Sequence, residues 1–241
     1  MRVAGAVALV TGANRGLGRA ITAELKSRGA ETVYAAARNP AGIVDPQVMP
    51  LRLDITDADQ VAAAAATCQN VDILINNAGV MLKSPLIGAT DPGAARREME
   101  VNYFGTLAMC RAFAPVLAAN GGGALVNVLS VVSWFTGPWN GSYSASKSAE
   151  WSLTNGARIE LAGQGTQVLA VHAGWIDTEM APATAGAKAS PESIARQIAD
   201  ALESGAQELI CDERSRRAKA LLPEDLRAIY PPLQAEWDAA H

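Results

Sequence analysis

Tyr143 and Lys147 stand four positions apart in the run Gly141-Ser142-Tyr143-Ser144-Ala145-Ser146-Lys147. On a helix that spacing sets both side chains on one face. A free phenol titrates near about 10, and an adjacent ammonium favours the phenolate and draws that value down. Proton transfer is most efficient when the donor titrates near the working pH, so the pair suits giving a proton to a reacting oxygen or taking one from it. The same spacing also occurs as an exposed ion–dipole pair. What decides between the two readings is whether the remaining chain builds a redox site around it.

The elements that must position the pair follow from the apolar pattern. Strands are predicted over 7–10, 32–36, 48–53, 72–75, 124–128, 167–171 and 208–211. Helices are predicted over 16–28, 58–66, 94–117, 142–162 and 191–204. Strands alternating with helices imply a parallel sheet covered on both faces. Runs such as Ala6-Val7-Ala8-Leu9-Val10 lack polar alternation, as a strand buried on both sides requires. Gly29 marks a helix end, and Pro191 after Ser190 fits a first helical turn. The small-residue segment 179–190 reads either as a substrate lid or as a surface loop. The tail 212–241 reads as a helix followed by an extended end at Pro231-Pro232.

With 241 residues, 49% hydrophobic and 18% charged, the chain is expected to form one packed domain over 1–241 and not a disordered polymer. The net charge of −4 and the lack of a dense basic stripe exclude nucleic acid as the main partner. The basic stretch 214–219 follows Asp212 and Glu213 and reads as a solvated or interface helix face. Cys68, Cys110 and Cys211 are scattered, His172 and His241 stand apart, and no zinc spacing results. Free thiols point to a reducing compartment. No apolar run matches a membrane span, and a strand begins almost at once with no signal-peptide layout. A cytoplasmic protein is expected.

After the first strand comes Thr11-Gly12-Ala13-Asn14-Arg15-Gly16-Leu17-Gly18. Between a buried strand and a helix, such a turn lets a dinucleotide pyrophosphate approach the backbone and the free N–H groups of a helix N-terminus. An acidic residue about 20 positions further on would bind a ribose 2′-hydroxyl and select NAD. Here the second strand ends Tyr34-Ala35-Ala36-Ala37-Arg38 without an acid. Arg38 and Arg15 would pair with a 2′-phosphate, unless one or both form surface ion pairs. NADP(H) is expected over NAD(H).

Taken together, the chain resembles the short-chain dehydrogenase/reductase family, in its compact single-domain branch, from about Val7 to Cys211. The residues that carry the resemblance are Thr11–Gly18, Asn76-Asn77-Ala78-Gly79 after the fourth strand, Asn102 in Val101-Asn102, Ser130, Tyr143 and Lys147, in that order. The resemblance implies a Rossmann-like, doubly wound, seven-stranded parallel sheet with helices on both faces, and a catalytic Asn-Ser-Tyr-Lys set. It gives Asn102 a helix kink and a water to hold, and Ser130 a hydrogen bond to the substrate carbonyl. Tyr143 becomes the acid or base, and Lys147 binds the nicotinamide ribose and lowers the Tyr143 pKa. No metal is needed. Further implied cofactor contacts are Gly12, Asn14, Arg15, Gly16, Leu17, Gly18, Arg38, Ile55, Asn76, Ala78, Gly79, Gly174, Ile176 and Thr178. Asp54 is implied to contact the adenine, its plainer reading being an acid at a helix N-terminus.

Two departures from the family stand out. Ala173-Gly174 replaces the usual Pro-Gly, which should loosen the backbone beneath the nicotinamide. The longer tail puts the usual tetramer in doubt, and a homodimer through the long helices is expected. Trp134, Phe135, Trp139, Trp175 and Met180 fall in segments that should surround the catalytic pair. They imply an apolar pocket for a hydrophobic or aromatic ketone or aldehyde, although rings can equally pack the scaffold. NADPH-dependent carbonyl reduction is the expected activity. NADP-linked alcohol oxidation and a non-catalytic NADP-binding sensor or scaffold are the alternatives.

Overall fold

The computed structural model describes residues 1–181 and 188–240. Residues 182–187, inside the expected lid segment, lie outside the described residues.

Seven parallel strands form one sheet. They are β1 (Val7–Thr11), β2 (Thr32–Ala37), β3 (Met49–Arg52), β4 (Ile73–Asn76), β5 (Ala124–Val128), β6 (Gln167–His172) and β7 (Glu208–Ile210). Their order is β3-β2-β1-β4-β5-β6-β7. The direction of winding reverses between β1 and β4, and at such a switch point the strand C-termini open a crevice. Register there pairs Val10 with both Ala35 and Ile75. Short β3 is an edge strand and carries Pro50, which lacks the N–H an inner strand would need.

Helices α1 (Gly16–Ser27), α2 (Ala58–Thr67), α3 (Ala94–Met99), α4 (Thr106–Ala119), α5 (Gly141–Glu160) and α6 (Pro191–Glu203) cover both faces. Alternate side chains of β1 enter opposite layers. Ala8 and Val10 join Ile21 and Leu25 of α1 and Ile194 and Ile198 of α6. Val7 and Leu9 join Met109, Phe113 and Leu117 of α4. Phe113 is fully buried, and its truncation to Ala would cost about 3–5 kcal/mol. Gly29 closes α1 with a φ of 83°, and Ser190 caps α6 through a 3.1 Å bond from the Ser193 N–H, ahead of Pro191.

The structure corrects two of the predicted elements. The helix expected over 94–117 is interrupted by a π-turn, Glu100–Gly105. This wider turn carries Asn102, whose amide is bonded to the Val80 backbone, and Gly105, where a Cβ would stand 2.7 Å from Ile55. Over its described length the tail is helical apart from short turns and has no extended end. It forms α7 (Glu213–Leu221), α8 (Asp225–Ala228) and α9 (Tyr230–Asp238). Pro231 and Pro232 fall in the first turn of α9, where a missing N–H costs nothing. Ala218 and Ile229 of the tail pack with Val131, Val132, Phe135 and Tyr143 in a third apolar cluster.

Cys68, Cys110 and Cys211 are buried free thiols. Burial pushes them up to about 11, 12 and 12, respectively. Among the described residues, no helix is long and apolar enough to cross a membrane.

Candidate active site

A cavity of about 750 Å³ opens at the strand C-termini, and the glycine turn, Ser130, Tyr143 and Lys147 all line it. The turn is built for close approach. Gly12 adopts a φ of 65° and Gly16 a φ of 51°, values that glycine tolerates without strain. A Cβ on Gly12 would lie 2.9 Å from the Ala78 Cα, and one on Gly18 would overlap the Gly12 carbonyl oxygen. The Thr11 hydroxyl accepts the Asn77 and Ala78 N–H groups at 3.0 Å, and the Asn77 amide donates to the Thr11 carbonyl at 2.9 Å. These bonds lock the turn to the end of β4. No side chain caps the first turn of α1, so its free N–H groups remain available to a ligand in the cavity that Gly16, Leu17 and Gly18 line.

Most of the expected cofactor contacts line this cavity: Gly12, Asn14, Arg15, Gly16, Leu17, Gly18, Arg38, Asp54, Ile55, Ala78, Gly79, Gly174, Ile176 and Thr178. Asn76 does not. It ends β4 with its side chain turned inward, donating to Asn127 Oδ1 at 2.9 Å, while the adjacent Asn77 lines the wall. Arg15 reaches across the opening to form an ion pair with Glu179. Asp54 holds a local turn by accepting the Thr56 N–H at 3.0 Å and its hydroxyl at 2.8 Å, whereas the acid that caps α2 is Asp57, so the reading of Asp54 as a helix N-terminal acid is corrected.

Tyr143 and Lys147 share one face of α5 and are both buried. Lys147 Nζ donates to the Val128 carbonyl at 2.9 Å and to Glu150 Oε2 at 2.5 Å. Ser130 begins a tight turn after β5, its N–H bonded to Ser133 Oγ at 3.1 Å, and its hydroxyl faces the phenol. Asn102 is fully buried, donating to the Val80 carbonyl at 2.9 Å and Ser146 Oγ at 2.8 Å and accepting the Val80 N–H at 2.8 Å. A Cβ on Gly79 would stand 3.2 Å from Asn102 Oδ1 and 3.7 Å from Lys147 Nζ, so glycine there keeps the wall open beside both.

Burial lifts the Tyr143 phenol above its ordinary value; Lys147 and Ser130 pull it down, and Glu150 and Glu98 push it up. Burial works against the Lys147 ammonium, but Glu150 and Tyr143 together hold it above its ordinary value. The Glu150 carboxyl is raised, chiefly by burial and against the pull of Lys147. The arrangement is a phenol and a hydroxyl facing one cavity, with a buried ammonium behind the phenol.

The aromatic residues divide. Phe135, Trp139, Trp175 and Met180 line the cavity. Trp134 is not part of that wall: it stacks on His172 with centroids 4.0 Å apart, below Lys219. The tail supplies wall residues that the sequence reading left out, namely Arg214, Leu233 and Glu236. Arg214 lies 5.4 Å from the Trp175 ring centroid. Asp212, the N-cap of α7, accepts the Gly174 N–H at 2.6 Å. Val131 N–H donates to Ala173 at 2.9 Å, so the turn that lacks the usual proline is tied on both sides. The loop after it is closed at its neck, where Ala189 bonds Trp175 and Asp177 at 2.9 Å each.

Comparison with known proteins agrees with this geometry. The family model for short chain dehydrogenases matches residues 6–189. A short chain dehydrogenase of Monascus purpureus is 32% identical over 98% of this chain and 82% of its own. The 2-(R)-hydroxypropyl-CoM dehydrogenase of Xanthobacter autotrophicus is 35% identical over 72% of this chain and 76% of its own. A crystal structure of a short chain dehydrogenase from Burkholderia cenocepacia, in complex with NADP, superposes with a TM-score of 0.93 at 43% identity, covering 97% of this chain and 99% of that one. The chain belongs to the short-chain dehydrogenase/reductase family. It is an oxidoreductase of alcohol and carbonyl groups that uses a nicotinamide cofactor.

Proposed function

We propose that the protein is an NADPH-dependent carbonyl reductase acting on a hydrophobic ketone or aldehyde. One observation carries the reading: a single cavity is lined both by the glycine turn and by Ser130, Tyr143 and Lys147. The residues present fit the dinucleotide. A Cβ at Gly12 or Gly18 would fill the cradle, uncapped N–H groups of α1 remain available beside it, and Arg38 and Arg15 stand on its wall where no acid ends β2. The NADP named with the Burkholderia structure supports the same preference. Bound there, NADPH would supply the hydride that reduces the carbonyl carbon.

The chain's own groups manage the oxygen. Charge grows on it as the carbon is reduced, and the Ser130 and Tyr143 hydroxyls are placed to donate to it. Tyr143 gives up its proton, and the Lys147 ammonium steadies the phenolate left behind. With two N–H bonds spent on Val128 and Glu150, Lys147 keeps one donor for a ribose hydroxyl. Asn102 fixes the π-turn against Val80 and Ser146. Phe135, Trp139, Trp175 and Met180 supply the apolar wall for the substrate. Exposed Phe104 and Ile159 on the long helical segments support a homodimer through them, and buried free thiols fit a cytoplasmic setting.

The test is NADPH consumption across ketones, aldehydes and quinones, with Tyr143→Phe beside the wild type. Aryl ketones should turn over faster than small polar ketones or sugars, and the variant should lose nearly all turnover while still binding NADPH. Faster reduction of sugars would overturn the substrate class. Full turnover by the variant would overturn the proton donor.

A further inference from the structure

We propose that Glu150 is a positioning residue for the proton-transfer couple, its carboxylate anchoring the Lys147 ammonium from outside the cavity wall and opposing that ammonium's influence on Tyr143, so that the phenol keeps its proton for donation. The inference rests on the donor role proposed for Tyr143.

The geometry is specific. Glu150 lies three positions beyond Lys147 on α5, its Oε2 is 2.5 Å from Nζ, and the two side chains are 1% and 5% exposed. A buried ammonium needs a partner to remain charged, because desolvation favours its neutral form. The Val128 carbonyl offers a dipole, whereas Glu150 offers a countercharge once it ionises, a step that burial pushes up to about 7 and that is complete before the phenol titrates. Glu150 is not part of the cavity wall, so it reaches the reaction only through Lys147 and through its field.

The groups that face this couple come from several elements. On Tyr143 act Lys147 and Glu150 from α5, Glu98 from α3 and Ser130 from the turn after β5. On Glu150 act Lys147 from its own helix and Thr106 from α4, while Glu150 in turn lifts the Cys110 thiol of α4. Glu98 is already committed to other partners, accepting the Leu82 N–H at 2.6 Å and the Ser142 hydroxyl at 2.5 Å. Glu150 is therefore the carboxylate bonded directly to the cation that activates Tyr143. Glutamine in its place would keep an acceptor for the ammonium beside the Val128 carbonyl, so that Lys147 stays charged and its pull on the phenol is left unopposed.

The experiment is a phenolate absorbance titration of the folded protein, with Tyr143→Phe identifying which part of the signal belongs to Tyr143. In Glu150→Gln the Tyr143 midpoint should fall by about one pH unit, a tenfold rise in phenolate at a fixed pH below both midpoints. The rise of alcohol oxidation with pH should move the same way. Glu150→Asp keeps the charge but withdraws it by one methylene, and should give a smaller shift in the same direction. An unmoved or higher midpoint in whichever variant folds would overturn the proposal. The titration needs no substrate, so its result is independent of whether the carbonyl reductase reading survives the substrate panel.

Discussion

Trp139 and Trp237 meet with ring centroids 4.8 Å apart and planes tilted by 37°, joining the loop before α5 to α9. Trp139 lines the cavity, as do Leu233 and Glu236 of α9. The contact thus fixes the tail as one wall of the cavity. An aromatic pair of this kind contributes roughly 0.5–1.5 kcal/mol beyond the area it buries. Trp237→Ala should raise KM for an aryl ketone by about three- to tenfold while leaving the NADPH dissociation constant unchanged. Steady-state kinetics with fluorescence titration of NADPH separates the two quantities. A rise in the NADPH constant instead would place α9 over the nucleotide.

Arg38 and Arg15 should not carry equal weight in the proposed preference for NADPH. Arg15 is ion-paired with Glu179 and exposed, whereas no carboxylate of the described residues is paired with Arg38. Arg38→Asp should weaken NADPH binding at least about tenfold and change NADH binding less than about twofold, because a guanidinium matches a 2′-phosphate and the new carboxylate repels it. Arg15→Ala should have the smaller effect. Equal losses for both cofactors on replacing Arg38 would rule out a 2′-phosphate role.

His172 should make stability depend on mildly acid pH. It is fully buried under Trp134, its Nδ1 3.2 Å from the Ser130 carbonyl, and burial lowers it from 6.5 to about 4. Below 6.5 the unfolded chain binds a proton that the folded chain refuses. Stability should therefore fall as pH drops from 6.5 and level off near 4, by a total of up to about 3 kcal/mol. His172→Asn retains a donor for Ser130 but does not titrate. Urea unfolding at pH 7 and pH 5 should show a smaller acid loss for the variant than for the wild type. Identical losses would mean that another group sets the acid limb.

The sheet was legible because its strands are short apolar runs separated by helices, and all seven fall close to the expected segments. The π-turn was not legible in the periodicity, because buried Glu98, Asn102, Thr106, Met109, Phe113 and Leu117 keep ordinary helical spacing through it, and only the family resemblance pointed to a kink at Asn102. Periodicity records which face is buried, not the width of one turn. The tail was misread at Pro231-Pro232, since proline suits an extended segment and a first helical turn equally. Asn76 and Asn77 were separable only by strand alternation, which turns the last residue of β4 inward. Trp134 shows the same gap. Proximity along the chain placed it near Tyr143, but its side chain points to His172. The Arg15–Glu179 pair joins residues 164 positions apart, a contact no local pattern encodes. Glu150 was visible as a carboxylate three positions past the lysine, yet only its burial distinguishes it from an ordinary surface pair.

The three sealed thiols have a practical consequence. With Cys68, Cys110 and Cys211 buried and held in the unreactive protonated form, the folded protein presents a silent background to alkylating dyes. A single cysteine placed at Leu226, which is 77% exposed on α8, would take up a fluorophore almost alone. Light emitted from that position would then report how the tail sits over the chamber during turnover, with none of the native sulfurs having to be removed.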